Sequence, residues 1–246
     1  MKESDNKKLY ESDEVVGKYA ANTTRVRSLN NPEKELIDRF DVKNKDVLVL
    51  GSGAGRVPAN LLLYGNRVLG IDRSERMIEV ANKNYPNEKF KDLSFALADA
   101  TDLHNIPDES YDVVIFPMNS IDYIDEYKMR EKAILEAAKK LKKGGILALS
   151  SHNKLAYLLS PKVKWADRSL KSFSGDYRYV KESVVGGGYI FKGNPKFVIE
   201  SIKNLTHFSF QDFICDTRGK IDKLFAKRLG LAQFYFPYIL YVFKKI

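Results

Sequence analysis

The stretch Asp46–Arg56, DVLVLGSGAGR, constrains the fold more than any other part of the chain. An apolar run, DVLVL, breaks into glycines at alternate positions, Gly51, Gly53 and Gly55. Because the run does not alternate apolar with polar, it reads as a central strand buried on both faces. Strand and helix patterns then take turns. AGRVPANLLLYG reads as a helix with Pro58 in its first turns and Gly65 as its stop. RVLGID is a second strand ending at Asp72, and SERMIEVANKNY a helix capped by Ser74 with Met77, Ile78 and Ala81 on its apolar face. LSFALADA, YDVVIFPMN and ILALSS are the third, fourth and fifth strands. The helix EYKMREKAILEAAKKLKKGG, with a glycine stop, precedes the fifth.

This alternation predicts an α/β fold, a Rossmann-like doubly wound, seven-stranded and mostly parallel sheet. Residues 1–40 are expected to form one or two helices over the sheet edge and to cover the ligand site, and residues 41–151 to form the core. Residues 152–192, with Pro161, Trp165 and GGGY at 186–189, show no clean period and read as an insertion after the fifth strand. Residues 193–246 complete the sheet: NPKFVIESIKNL as a helix, HFSFQDFICD as a strand, KIDKLFAKRLG as a helix and FYFPYILYVFKK as the terminal strand.

The net charge of +9 is unevenly placed: residues 1–150 are close to neutral, whereas residues 151–246 carry 17 Lys/Arg against 7 Asp/Glu. A basic C-terminal portion suits an anionic partner, or is a solvated face. A single cysteine, Cys215, excludes an internal disulfide framework and a multi-cysteine metal site, so no metal ligands are assigned. The N-terminus MKESDNKK has no apolar segment of a secretory signal, and the longest apolar stretch is short for a membrane span. The expectation is a cytoplasmic protein without a membrane partner. The sequence sets no oligomeric state.

Bare backbone after a buried strand serves either a dinucleotide or S-adenosylmethionine. A dinucleotide site has G-x-G-x-x-G, whereas here the spacing is G-x-G-x-G and Arg56 stands at the third dinucleotide position. Asp72, about 20 positions on, accepts ribose hydroxyls in either case. Four segments in order, VLVLGSGAGR, GIDRSERMIEVAN, ALADATDLHNIPDESYDVVIF and LKKGGILAL, resemble the class I S-adenosylmethionine-dependent methyltransferases over about Asp46–Ser151.

That resemblance implies a cofactor site. Gly51, Ser52, Gly53 and Gly55 would let the backbone approach the methionine part, and Asp72 and Arg73 would lie at the ribose. Met77 would pack near the adenine, Asp99 bond its amino group and Ala100 supply a backbone contact, with Phe116 and Asn119 completing the site. One position departs from the family: Val49 stands where an acidic residue is frequent, two before the first glycine. Glycine-loop carbonyls or N-terminal residues would then hold the amino-acid end, and Tyr10 and Tyr19 are placed to close over it.

The family's acceptor pocket lies beyond the fourth strand, where FPMNSIDYIDEY lacks the Asn/Asp-Pro-Pro-Tyr/Phe signature of N-methyltransferases, which disfavours adenine or cytosine N-methylation of DNA. NSIDYI followed by SSHN is similar to uncharacterised small-molecule methyltransferases and would place Asn119, Asp122 and Tyr123 near the sulfonium. His152 ends the fifth strand, where open α/β sheets bind ligands, and its imidazole suits a base near neutral pH. The candidate catalytic residues are therefore His152, Asp122 and Tyr123. A capping histidine and a helix N-cap at Asp122 are their structural alternatives. His104 is placed to line the adenine site, and His207 is taken as structural.

Aromatics among cations in the insertion (Trp165, Phe173, Tyr177 and Tyr179 with Lys162, Lys164, Arg168, Lys171 and Arg178) suit a flat or sugar-like group bearing phosphate or carboxylate. The expected activity is methylation of a small, anionic acceptor at oxygen or nitrogen. RNA as acceptor, a non-catalytic cofactor-binding homologue, and a more distant NAD-dependent enzyme are the alternatives.

Overall fold

The computed structural model describes residues 5–17, 28–162, 175–181 and 189–246. Seven strands form one sheet: β1 (Asp46–Leu50), β2 (Arg67–Asp72), β3 (Leu93–Leu97), β4 (Tyr111–Phe116), β5 (Leu141–His152), β8 (Phe208–Ile214) and β9 (Tyr238–Lys245), in the order β3-β2-β1-β4-β5-β9-β8. The pairs from β3 to β5 are parallel, and β9 enters antiparallel between β5 and β8. A separate antiparallel pair, β6 (Tyr177–Lys181) and β7 (Tyr189–Gly193), lies within the region read as an insertion. The doubly wound, mostly parallel expectation holds.

Strand β1 shows why the sheet is covered on both sides. Its side chains alternate, so Leu48 and Leu50 join one apolar layer with Ile134, Ala137 and Ile202, while Val47 and Val49 join the other with Ile37, Val57 and Leu61. Val49 is fully buried in that second layer. A carboxylate there would need a partner that the aliphatic neighbours do not offer.

Ser74 caps the helix Glu75–Asn84 by accepting from the Met77 amide at 3.2 Å, and Met77, Ile78 and Ala81 are its buried residues, as the sequence pattern requires. Three expectations are corrected. The long helix Tyr127–Lys140 is not stopped by glycine: strand β5 starts at Leu141, and Gly144–Gly145 lie inside it. There the register against β4 shifts between Tyr111 and Val113, and Gly144 takes a positive φ of 76°. A bulge of this kind uses glycine's freedom within a strand.

The segment KIDKLFAKRLG forms two helices rather than one, Lys220–Phe225 and Leu229–Tyr235. The second takes up the FY assigned to the terminal strand, because Pro237 forces Phe236 into extended backbone and ends the helix there. Near the N-terminus, Asn31–Phe40 packs on the face of the sheet through Leu36 and Ile37, not over its edge. Helix Asp5–Tyr10 instead lies over the carboxyl ends of the strands, where the Ser74 hydroxyl donates to the Tyr10 carbonyl at 3.1 Å.

Candidate active site

A cavity of about 320 Å³ opens at the carboxyl ends of β1, β2, β3 and β4. Gly51 and Gly53 line it from the first loop, with Asp72, Arg73 and Met77 from the second strand and its helix. Asp99, Ala100 and Phe116 line the far side, and Tyr123 the rim. Ser52, Gly55 and Asn119, also expected at the cofactor, lie off the wall among the described residues. Gly55 has φ 95° as the N-cap of Arg56–Leu62, and a Cβ there would lie 2.8 Å from Phe95. Its bareness serves chain turning and packing.

Asp72 is held from behind. The Gly53 amide donates to one carboxylate oxygen at 2.8 Å and the Ser74 amide to the other at 3.0 Å. Burial raises its pKa above the ordinary aspartate value, opposed by those two N–H groups and by Arg73. Each oxygen keeps a further lone pair for a ligand hydroxyl. Asp99 accepts at Oδ1 from both the amide and the hydroxyl of Thr101, each at 2.8 Å, leaving Oδ2 for a ligand amino group.

Tyr10 is in the cavity wall and meets Tyr123 edge-on, ring centroids 5.5 Å apart. Buried Asn6 pins this helix: its amide donates to Asp125 at 2.6 Å and to the Tyr189 carbonyl at 2.8 Å, and its carbonyl accepts from the Tyr189 amide at 3.1 Å. Nothing in the polar N-terminal sequence marks Asn6 out. Tyr19, Trp165, Phe173, Lys164, Arg168, Lys171 and the glycines 186–188 lie outside the described residues.

Behind the rim, Asp122 and His152 come together. Asp122 is not a helix N-cap; it sits in a 3₁₀ turn, Ser120–Tyr123, fully buried. Its Oδ2 accepts from the His152 backbone amide at 2.6 Å and faces Nδ1 at 2.9 Å, and its Oδ1 accepts from the Ser151 hydroxyl at 2.7 Å. His152 Nε2 is 3.5 Å from the Asn119 amide nitrogen, and Asn119 Oδ1 accepts from Ser150. An amide donor facing Nε2 and a carboxylate facing Nδ1 together define the neutral Nδ1–H tautomer. Asn119 follows Met118 with both in left-handed backbone, φ 60° and 48°, a conformation that costs energy for a non-glycine residue. Met118 and Ser120, its chain neighbours, both line the cavity.

Arg130 escaped the sequence reading. It shares the buried stripe of its helix with Ala133, Ile134 and Ala137, and a charge on an apolar stripe was the available signal. His104 is exposed, bonds Asp102 at 2.9 Å and lies in a separate polar depression with Lys139 and Lys140, not on the main cavity. His207 is exposed and its carbonyl accepts from the Ile246 amide at 2.9 Å.

The cavity suits S-adenosylmethionine in its charge as well as its backbone. Among the described lining residues four are carboxylates, Asp72, Asp99, Asp125 and Glu126, against one guanidinium, Arg73. Such a surface favours a ligand carrying a sulfonium and an ammonium over a pyrophosphate.

Residues 48–149 match the methyltransferase domain family. The ubiquinone biosynthesis O-methyltransferase of Rickettsia bellii is 26% identical over 179 residues, 70% of this chain and 69% of the relative. The ubiquinone/menaquinone biosynthesis C-methyltransferase of Campylobacter jejuni is 28% identical over 173 residues, 66% of each chain. Among solved structures, an S-adenosylmethionine-dependent methyltransferase from Mesorhizobium loti aligns with a TM-score of 0.64 at 18% identity, covering 87% of this chain and 98% of that one. The 1,6-didemethyltoxoflavin-N1-methyltransferase of Burkholderia thailandensis, with bound S-adenosylhomocysteine, aligns at 0.61 and 15% identity, covering 97% and 88%. Among the described residues no helix is long and apolar enough to cross a membrane. Residues 48–149 are thus a methyltransferase domain, and S-adenosylmethionine is its cofactor.

Proposed function

We propose that the enzyme methylates a small, anionic acceptor at oxygen or nitrogen, with His152 accepting the proton that the acceptor loses. The observation that carries this reading is the Asp122–His152 pair, one residue behind the cavity wall, with Nδ1 on the carboxylate and Nε2 turned to Asn119. Bound S-adenosylmethionine supplies an electrophilic methyl group and leaves as a neutral thioether. Gly51, Gly53, Asp72, Asp99 and the ring of Tyr10 would hold it, and Met77 would pack beside its adenine. An acceptor hydroxyl or amine that displaces the Asn119 amide from Nε2 gives up its proton there as the new bond to carbon forms. Asp122 keeps the ring in the tautomer that can take it. The buried Ser151–Asp122 contact fixes the carboxylate in turn.

The anionic preference is supported by cations just past His152. Lys154 is fully buried, its amide donates to the Gly193 carbonyl at 2.9 Å, and Arg178 pairs across the hairpin with Lys192. Burial and then the charge of Arg178 hold the Lys154 pKa below the ordinary lysine value. The names of the relatives span oxygen, carbon and nitrogen acceptors, so chemistry near His152, not ancestry, selects oxygen or nitrogen.

The test is methyl incorporation from labelled S-adenosylmethionine into pools of carboxylated or phosphorylated hydroxy compounds and into RNA. Label in the small-molecule pool, cut by about 10²–10⁴-fold in His152→Ala with cofactor binding intact, is expected. Label in RNA alone, or full turnover in His152→Ala, overturns the reading.

A further inference from the structure

We propose that Arg130 is a positioning residue: through the Asp122 carboxylate it fixes His152 as the Nδ1–H tautomer, with the Nε2 lone pair toward Asn119. This rests on the base role proposed above for His152.

Arg130 belongs to helix Tyr127–Lys140, yet its side chain is only 3% exposed and that of Asp122 is 0% exposed. Its Nη2 lies 3.6 Å from Asp122 Oδ1 and 3.4 Å from the Ser151 hydroxyl, and its guanidinium carbon lies 4.3 Å from the Phe191 ring centroid. The guanidinium thus touches the 3₁₀ turn, β5 and β7 at once. Burying a guanidinium is costly, and an aliphatic residue would complete the stripe of Ala133, Ile134 and Ala137 at lower cost. A charge kept there calls for a job that an aliphatic residue cannot do.

That job follows from what Asp122 touches. The Ser151 hydroxyl and the His152 amide are both donors, so the carboxylate functions as an acceptor only. The other titratable groups near it are Tyr179 on β6, whose hydroxyl donates to the Ile124 carbonyl at 3.1 Å, and Tyr241 on β9. Burial raises both phenols well above their ordinary value, so both are neutral. Cys215, also buried, faces Tyr241 and is raised in the same way. Tyr238 meets the His152 ring edge-on at 5.9 Å, and the Asn119 amide covers Nε2. Among the described residues, Arg130 is the cation paired with this carboxylate.

With Arg130 removed, a carboxylate in this interior takes up a proton rather than remain charged. The resulting carboxyl donates to Nδ1, the imidazole proton moves to Nε2, and the nitrogen facing Asn119 loses its lone pair. Arg130 therefore acts on the proton position of a residue it does not touch.

Nitrogen-15 NMR of the imidazole rings reads this directly in the cofactor-free protein. The chain has 3 histidines, so His152 is assigned by its loss in His152→Gln. The wild type is expected to show Nδ1 protonated and Nε2 bearing the lone pair. Arg130→Lys should keep that pattern, and Arg130→Met should reverse it. Arg130→Gln, polar but uncharged, is the second variant and should reverse it as well, even where Arg130→Met does not fold. A wild type already protonated at Nε2, or an unchanged pattern in a folded Arg130→Met or Arg130→Gln, overturns the proposal. Because the measurement needs neither acceptor nor turnover, its failure is separable from failure of the base role, which the His152→Ala assay reads.

Discussion

Gly51 and Ser120 are packed so closely that a Cβ added to Gly51 would lie 2.5 Å from the Cβ of Ser120. Gly51 also has φ 80°, and the Ser120 hydroxyl donates to the Leu50 carbonyl at 2.8 Å. The first glycine thus joins the end of β1 to the turn that carries Asp122, as well as baring the cavity wall. Gly51→Ala meets both backbone strain and overpacking, and should lose about 2–4 kcal/mol in urea unfolding. Gly51→Ala/Ser120→Gly should recover the packing part but not the strain.

Asp72 has a pH signature of its own. Its folded pKa is raised by burial above the unfolded value, so the folded state binds the proton more tightly. Its contribution to stability is therefore fully present below the unfolded pKa and is lost as pH rises through the folded one. Cofactor-free Asp72→Asn, which cannot ionise, should lack this loss. The melting temperature of the variant relative to wild type should rise with pH across that window, and a constant difference contradicts the expectation.

The Asp222 carboxylate shows the opposite sign. Hydrogen bonds from Lys162 and the Arg218 amide hold its pKa down to about 2, against the opposing effect of burial. A depressed pKa gives stability that is present above the unfolded value and lost as pH falls through the folded one. Asp222→Asn should unfold at lower urea than wild type at pH 7, with the gap closing toward about pH 2. A gap that persists in acid would mean that packing, not charge, is at work.

Asn6→Ala removes the bonds that fasten helix Asp5–Tyr10 to Asp125 and to Tyr189. Loss of one charge-assisted hydrogen bond lowers affinity roughly tenfold. S-adenosylhomocysteine should therefore dissociate faster from the variant in stopped-flow displacement, with the association rate little changed. An unaltered dissociation rate would show that the helix does not retain the ligand.

The sheet was legible because each core strand announces itself locally, by an aliphatic run closed by a turn, as DVLVL before Gly51 does. Ser74, Met77, Ile78 and Ala81 were placed on chemistry that acts within four residues. What was missed depends on partners far along the chain. Gly144–Gly145 look like a helix stop until β4 imposes its register. Asn6 meets Tyr189, 183 positions away, and Arg130 meets a carboxylate on another element. His152 and Asp122 were chosen separately from their positions; that they share a hydrogen bond was not written in either segment.

Calorimetric titration of the wild type and of Asp72→Ala with S-adenosylhomocysteine, with NAD as control, tests the cavity at the ends of β1–β4 most directly. Micromolar binding of S-adenosylhomocysteine by the wild type, absent or at least tenfold weaker in Asp72→Ala, is expected, with no heat from NAD. Binding that survives unchanged in Asp72→Ala, or a wild type that takes NAD instead, would contradict the assignment of this cavity to the methyl donor.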